Sequence, residues 1–385
     1  MQAITTTEAL AEFCSHAVNH PYVTVDTEFL RERTYYAKLC LIQLAVPGDG
    51  DGDAVLVDPL VNGLSLDPLV ELFRNPSVVK VFHAARQDLE IFHIDYGVIP
   101  EPLFDTQVAA MVCGFGEQVG YETLVRRIAH ANLDKTSRFT DWSRRPLTDA
   151  QKSYALADVT HLRQIYEHLA RDIEHKGRGS WVMQELEILL DPATYVIEPD
   201  EAWRRLKTRN STGKFLATAR ALARFREIYA QEKNVPRNRV IKDDALLEVA
   251  STKPKSVEDL GRSRLLLREA RRGDIAEGIL AAVAEGLACP PENQPKASDA
   301  KAKLQVNTAL ADLLRVLLKA KSEQAGVAQK LIATTSELDQ IAAGLRELPS
   351  LRGWRYEVFG ADALRLCDGQ IALTTQGTAV RIIQI

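Results

Sequence analysis

Two acidic residues separated by a single position lie in a short apolar stretch near the N-terminus. The segment Tyr22-Val23-Thr24-Val25-Asp26-Thr27-Glu28 is rich in β-branched and aromatic residues, which predicts a β-strand. Successive side chains of a strand alternate between its two faces, so Asp26 and Glu28 project to the same side. Two neighbouring carboxylates repel each other and are costly to desolvate. A divalent cation between them would keep both in the ionised form.

Two later segments carry acidic residues that could join such a site. Asp88 falls in the first turns of a predicted helix that directly follows the apolar strand 78–82. Ligands gather at strand ends of this kind in α/β sheets, although an Asp near a helix start also stabilises the helix dipole. Tyr154 and Asp158 lie four positions apart on a predicted helix, so the phenol and the carboxylate share one face. This pair could complete a cation site and hold a water molecule; a core tyrosine beside a surface aspartate is the alternative.

The residue types favour a hard cation with oxygen ligands, meaning Mg²⁺ or Mn²⁺. The five cysteines form no Cys-x-x-Cys pair, and the eight histidines show no ligand spacing with them, so neither a zinc site nor a disulfide framework is expected. The chain has no phosphate-binding loop and no dinucleotide-binding glycine motif. We therefore expect no nucleotide cofactor.

The predicted elements indicate an α/β domain followed by helical modules. Three strands in quick succession, at 22–28, 35–46 and 54–58, are typical of an antiparallel meander. Beyond them, short strands alternate with helices, which favours parallel crossovers. The sequence therefore predicts a mixed sheet flanked by helices. In chain order we expect a domain at 1–172, a helical connector at 173–210, a compact all-helical module at 211–289, a linker at 290–303 and a last helical module at 304–385.

Composition and charge indicate the compartment and the partner. No apolar run approaches the roughly 20 residues that span a bilayer, and the N-terminus lacks a secretory signal, so we expect a cytoplasmic protein with no membrane partner. The net charge of -4 conceals a basic stretch, because residues 201–290 hold 19 Lys and Arg against 12 Asp and Glu. A basic module joined to an acidic body suits a polyanionic partner, whereas a solvated, charge-rich helical surface is the simpler explanation.

Taken together, the motifs resemble those of a known nuclease family. An Asp-x-Glu strand, an Asp at a helix start and Tyr-x-x-x-Asp on a late helix resemble the three motifs of the DEDDy 3′→5′ exonucleases, most closely those of the ribonuclease D family. The segments Leu41-Ile42-Gln43-Leu44, Phe104-Asp105-Thr106-Gln107 and Arg145-Pro146-Leu147 are also similar to that family. The module at 211–289 resembles an HRDC domain, and 304–385 resembles a more divergent HRDC-like module.

The resemblance implies a ribonuclease H-like exonuclease fold and a specific chemistry. It implies hydrolysis of RNA from the 3′ end to nucleoside 5′-monophosphates with two Mg²⁺ or Mn²⁺ ions, and tRNA precursors as substrates. By the same resemblance, Asp26 bridges both ions, and Glu28 and Asp158 hold the ion that activates water. Asp88 holds the other ion through water, and Tyr154 orients the nucleophile.

Five further residues are candidates for contact with the RNA end. Two of them, Tyr35 and Trp142, could stack on a base or line its path, and a core role is an equal alternative for each. The full set of substrate-contact candidates is Thr27, Phe29, Tyr35, His83 and Trp142.

Two other functions are compatible with the same residues. A 3′→5′ DNA exonuclease would use identical chemistry, because two-metal hydrolysis does not require the 2′-hydroxyl. A non-catalytic RNA-binding scaffold would keep the fold without the activity.

Overall fold

The structure, a computed structural model, divides the described chain into two compact units. It describes residues 3–48, 50, 52–134, 140–208, 210, 212–296 and 305–385. The first unit comprises Met1–Glu28, Cys40–Asp191 and Leu304–Ile385, and the second comprises Phe29–Leu39 and Pro192–Lys303. Residues 297–303 of the expected linker lie outside the described residues.

A five-stranded sheet organises the first unit. Its strands are β1 (Tyr22–Leu30), β2 (Lys38–Ala45), β3 (Ala54–Val57), β4 (Val79–Phe82) and β5 (Leu103–Asp105), in the order β3-β2-β1-β4-β5. The pairs β1–β4 and β4–β5 are parallel, whereas β2 and β3 are antiparallel. The sheet is therefore mixed, as the sequence predicts.

Burial on both faces explains why apolar and polar residues do not alternate along β2. Seven of its eight residues are buried, and only Lys38 at the strand start is exposed. A strand covered on both faces is apolar throughout rather than alternating. This covered strand lies next to β1, so the strand that carries Asp26 and Glu28 is near the centre of the sheet.

Helices flank the sheet and supply the remaining site residues. They are α1 (Thr7–Ala17), α2 (Asp67–Arg74), α3 (Arg86–Tyr96), α4 (Thr106–Cys113), α5 (Tyr121–Leu124), α6 (Asp149–His175) and α7 (Gly179–Leu190). The 27-residue α6 begins at a capping box, in which Thr148 accepts from the backbone N–H of Gln151 and the Gln151 side chain accepts from the backbone of Thr148. This start fixes the register of the helix that carries Tyr154 and Asp158.

The second unit is helical. Its helices include a 3₁₀ helix (Pro199–Arg205), α8 (Gly213–Glu232), α9 (Arg237–Val240), α10 (Asp243–Thr252), α11 (Val257–Gly261) and α12 (Gly273–Ala288). Small and branched apolar residues of α8, α10 and α12 form its core, and Tyr35 and Trp203 pack against that core.

The C-terminal part of the first unit combines helices with a hairpin. The helices are α13 (Thr308–Ala325), α14 (Gln329–Ile332), α15 (Thr335–Ala342), α16 (Gly353–Arg355) and α17 (Ala361–Cys367). Strands β6 (Ile371–Gln376) and β7 (Ala379–Gln384) then pair antiparallel. Across the described ranges, every helix is too short or too polar to span a bilayer.

Candidate active site

Three carboxylates from two distant parts of the chain meet at one point. Carboxylate oxygens of Asp26, Glu28 and Asp158 all lie within 4.8 Å of one another. The strand period brings Asp26 and Glu28 to one face of β1. Helix α6 packs on that face, where the Thr24 hydroxyl donates to Val159 O at 2.9 Å, and so brings Asp158 to them. Within the part of the chain that the structure describes, no other group of His, Cys, Asp and Glu side chains meets the same spacing.

The fourth predicted acidic residue, Asp88, is linked to this group through Thr27. Asp88 is 6% exposed in the first turn of α3, and the Thr27 hydroxyl donates a hydrogen bond to its Oδ1 atom. Asp88 lies outside the set of three that share the 4.8 Å spacing. Burial raises the pKa of Asp88 well above its usual range, and the nearby charge of Asp26 adds to the effect.

The electrostatics of the group fit a divalent cation. Burial, followed by repulsion from Asp158, raises the pKa of Asp26 well above its usual value. Like-charged buried carboxylates resist ionisation when no positive charge lies between them. A hard cation with oxygen ligands removes that repulsion, so the donor set and the electrostatics both fit Mg²⁺ or Mn²⁺.

The Tyr154 hydroxyl lies beside the same carboxylates. It donates a hydrogen bond to the Asp158 side chain one turn along α6. Burial raises the pKa of Tyr154, and the negative charges of Asp158, Glu28 and Asp26 raise it further. The phenol therefore stays neutral at physiological pH and keeps the proton that it donates to Asp158.

A second tyrosine, Tyr121, which the sequence motifs do not identify, contacts the backbone of Asp158. The Tyr121 hydroxyl lies 2.7 Å from the backbone oxygen of Asp158 and 3.1 Å from that of Ala157, and donates to them. Burial and the charges of Asp158 and Asp26 raise its pKa. Because its partners are backbone atoms more than 30 positions away, no local spacing could predict the contact.

The other substrate-contact candidates have different surroundings. His83 Nδ1 lies 2.9 Å from the Thr106 hydroxyl, and burial lowers the pKa of His83 to about 4, so its imidazole is neutral. Trp142 is 2% exposed, and its ring centroid lies 6.1 Å from that of Tyr154. The indole is therefore enclosed by protein, and its ring packs against the ring of Tyr154.

Thr27, Phe29 and Tyr35 are also placed by the structure. The Thr27 hydroxyl is engaged with Asp88. Phe29 and Tyr35 belong to the second unit. The Tyr35 hydroxyl donates to Glu227 and accepts from Arg237 at 2.8 Å, so this tyrosine is part of a polar network of that unit.

Asp105, which also follows a strand, has a local structural role. It is 2% exposed and accepts backbone N–H bonds from Ala84 at 3.0 Å, Ala85 at 2.9 Å and Gln107 at 2.7 Å. Ala84 has a positive φ of 57°, so these bonds fix a turn that few side chains adopt readily. The turn leads directly into α3 and thereby places Asp88.

The fold and this group of carboxylates define a class of enzyme. A family model described as "3'-5' exonuclease" matches residues 1–174, and an HRDC domain model matches residues 215–283. Both lie where the acidic site and the helical second unit occur. The chain therefore contains a 3′→5′ exonuclease domain and an HRDC domain.

Relatives that match nearly the whole chain show which family of exonucleases it belongs to. The chain is 64% identical over 382 residues to a protein named Ribonuclease D from Jannaschia sp. (strain CCS1), which covers 99% of both chains. It is 47% identical over 383 residues to Ribonuclease D of Granulibacter bethesdensis, covering 99% of this chain and 96% of the relative. The crystal structure of Escherichia coli RNase D matches with a TM-score of 0.81 and 30% identity, covering 96% of this chain and 98% of that one. This chain belongs to the ribonuclease D family and is a 3′→5′ exoribonuclease.

Proposed function

We propose that this enzyme removes nucleotides from the 3′ ends of tRNA precursors by two-metal hydrolysis and releases nucleoside 5′-monophosphates. The observation that carries the proposal is the 4.8 Å grouping of carboxylate oxygens from Asp26, Glu28 and Asp158. Together with Asp88, these residues would hold two divalent cations, Mg²⁺ or Mn²⁺. When bound, the ions would supply an activated water and neutralise charge on the leaving oxygen.

Two residues of the protein orient the groups that take part in the reaction. The neutral Tyr154 phenol, one turn from Asp158, orients the attacking water by hydrogen bond. Thr27 fixes the rotamer of Asp88 through its hydroxyl. Hydrolysis adds the water oxygen to phosphorus and breaks the bond to the 3′ oxygen, which leaves with a proton. The terminal nucleotide then carries its phosphate at the 5′ position.

A structured RNA as substrate is supported by charge and by similarity. The basic stretch 201–290, with 19 Lys and Arg against 12 Asp and Glu, provides counter-charge for a polyanion. The similar Escherichia coli enzyme is described as "an exoribonuclease involved in structured RNA processing". Precursor tRNA in the cytoplasm is the substrate that we propose on these grounds.

The same proposal assigns the domains and the residues that contact RNA. The exonuclease domain is 1–172, the connector 173–210, the HRDC domain 211–289, the linker 290–303 and the C-terminal HRDC-like module 304–385. We retain Phe29 and His83 as candidates for contact with the RNA end. For Thr27, Tyr35 and Trp142 the visible contacts favour support of neighbouring side chains over direct contact with a base.

A trimming assay tests this function. The purified full chain is incubated with a 3′-extended tRNA and Mg²⁺, and products are resolved at single-nucleotide length. We expect stepwise shortening, release of 5′-monophosphates, and complete loss of activity with chelator or with Asp26→Asn. Asp149→Asn, whose side chain is fully exposed at the start of α6, serves as the matched control and should trim normally.

Two results would contradict the proposal. Equal trimming by wild type and Asp26→Asn would point to a contaminating nuclease and to a scaffold function. Faster degradation of a DNA strand of the same sequence would favour the DNA exonuclease.

A further inference from the structure

The second unit contains a cavity that the hydrolytic site does not use. Its volume is about 480 Å³, within the roughly 300–1,000 Å³ typical of small-molecule sites. Segment 29–39, the 3₁₀ helix and helices α8 and α9 contribute to its walls. The charged residues of the lining are four arginines and two acids: Arg31, Arg205, Arg226, Arg237, Glu227 and Asp243.

Both acids of the lining are already engaged by arginines. Arg237 donates to both carboxylate oxygens of Glu227, at 2.5 Å and 2.6 Å, and Tyr35 donates to the same carboxylate. Arg226 Nη1 lies 2.6 Å from Asp243 Oδ1. Burial opposes ionisation of Glu227, but these hydrogen bonds and the Arg237 charge hold its pKa below its usual value. The acids therefore neutralise two arginines, and the lining retains a net positive charge.

Arg226 retains unused donors although it is buried. It is 4% exposed, and its guanidinium donates from Nη1 to Ile241 O and to Asp243 Oδ1. Its Nε atom is inaccessible to solvent and has no hydrogen-bond partner among the described residues. An arginine has five N–H donors, and a buried donor without a partner costs free energy. Because Nε is closed to solvent, the donor that an acceptor in the cavity can reach is Nη2, which makes no hydrogen bond among the described residues.

Arg205 supplies a second available cation at the same cavity. Its side chain is exposed at the end of the 3₁₀ helix, and it makes no ion pair with any residue in the described ranges. The preceding Arg204, by contrast, is paired with Glu201. The cavity thus presents one exposed guanidinium and one fixed, buried guanidinium.

From this arrangement we infer that the cavity is a binding site for a phosphate group. Guanidinium groups recognise phosphate through paired N–H bonds and bind it more specifically than they bind monatomic anions. The phosphate can come from an RNA backbone or from a free nucleotide or inorganic phosphate, and the chemistry of recognition is the same. The site is a binding function separate from hydrolysis, so it does not rest on the two-metal proposal.

The test measures binding by the full chain in chelator, so that no RNA is cleaved. Fluorescence anisotropy with a labelled 20-nucleotide single-stranded RNA is recorded at several salt concentrations, and calorimetry is run with inorganic phosphate and with AMP. The variant is Arg205→Ala, and Arg205→Lys retains the charge. The matched control is Arg268→Ala, which removes an exposed arginine of the same unit outside the cavity.

Two results support the site and identify the source of the phosphate. If RNA occupies it, Arg205→Ala raises the dissociation constant for RNA about fivefold to tenfold and reduces the salt slope by about 0.7, with partial rescue in Arg205→Lys. If a free phosphate occupies it, RNA affinity is unchanged, but binding of phosphate or AMP seen with wild type is lost in Arg205→Ala.

Identical behaviour of Arg205→Ala and Arg268→Ala toward all three probes would overturn the inference. The trimming activity of wild type is measured separately, so failure of the phosphate site and failure of the hydrolytic mechanism give different results.

Discussion

A single phenol connects the geometry of the carboxylates to the chemistry of hydrolysis. Tyr154 is close enough to Asp158, Glu28 and Asp26 for their charges to raise its pKa, and burial raises it further. A tyrosine with a raised pKa is a poor general base, because it does not give up its proton at neutral pH. Its useful property is a hydroxyl oxygen that the hydrogen bond to Asp158 holds in a fixed position, where it can accept a hydrogen bond from the attacking water. We therefore assign it to orientation of the nucleophile rather than to proton abstraction.

Replacement of this hydroxyl should reduce turnover without affecting RNA binding. We expect Tyr154→Phe to lower kcat by about 10²-fold while the dissociation constant for RNA stays within twofold of wild type, because the ring remains and only the hydrogen bonds of the hydroxyl, to Asp158 and to the nucleophile, are lost. Single-turnover trimming and anisotropy measure the two quantities. The control is Tyr166→Phe on the same helix, whose ring packs against Tyr22 and Phe104. A fall in RNA affinity equal to the fall in rate would contradict the orienting role.

At the scale of single residues, local spacing along the chain predicts part of the site. The strand period is sufficient to place Asp26 beside Glu28, and the helix period places Tyr154 beside Asp158. The hydrogen bond from Thr27 to Asp88 joins residues 61 positions apart, and Tyr121 reaches a backbone oxygen 37 positions away. Such contacts depend on how elements pack, and the types and spacing of the residues carry no information about them.

At the scale of elements, one arginine fixes the loop that precedes α6. Arg145 lies against Asp58 at the end of β3, with Nε 2.5 Å from Oδ2 and Nη2 2.7 Å from Oδ1. The same guanidinium donates to the backbone oxygens of Cys40 at 2.7 Å and Trp142 at 2.8 Å. One side chain thus ties two strands of the sheet to the loop that carries Trp142.

Loss of the guanidinium fork should destabilise the first unit. We expect Arg145→Lys to lower the free energy of unfolding by about 2 to 4 kcal/mol, because an ammonium group cannot reproduce these directed bonds and Asp58 is left partly unpaired. Urea denaturation followed by circular dichroism measures the effect. Arg144→Lys is the matched control, since that neighbouring side chain is 83% exposed and its loss should change stability by less than about 0.5 kcal/mol. Equal midpoints for the two variants would show that Arg145 has no anchoring role.

At the scale of the whole molecule, the C-terminal segment is packed into the exonuclease unit. The rings of Trp181 in α7 and Trp354 in α16 stack with centroids 4.4 Å apart and an angle of 16°. Glu185 accepts from Trp354 Nε1 at 2.8 Å and from Arg355 Nη1 at 2.7 Å. Trp354 is 1% exposed, so this contact is a core contact rather than a surface one. Residues 305–385 are therefore a structural part of the first unit.

From this contact we predict that a destabilising substitution near the C-terminus also lowers the stability of the unit that carries the catalytic residues. We expect Trp354→Ala to cost about 3–5 kcal/mol, because a large, fully buried ring is removed and its stacking partner loses a neighbour. Thermal denaturation should show a lower midpoint together with a lower midpoint for loss of trimming. Tyr356→Ala, which removes a ring that is 42% exposed, is the control. Unchanged thermal inactivation of trimming in Trp354→Ala would refute the coupling.

The grouping of segments into the two units is the feature that the sequence predicts least well. Composition and periodicity identify a mixed sheet followed by helices, and both are present. They do not reveal that Phe29–Leu39 groups with Pro192–Lys303, or that Leu304–Ile385 groups with the exonuclease residues. Side chains such as Tyr35 and Trp354 make those groupings through contacts with residues more than 150 positions away, where chain order is uninformative.

Direct measurement of cation binding tests the central claim of a metal site built by Asp26, Glu28 and Asp158. Mn²⁺ is titrated into wild type, Asp26→Asn and Asp149→Asn in the absence of RNA, and the free ion is followed by electron paramagnetic resonance. We predict saturable depletion of free Mn²⁺ by wild type and by Asp149→Asn, and loss of that depletion in Asp26→Asn. Equal depletion by all three proteins would contradict the account.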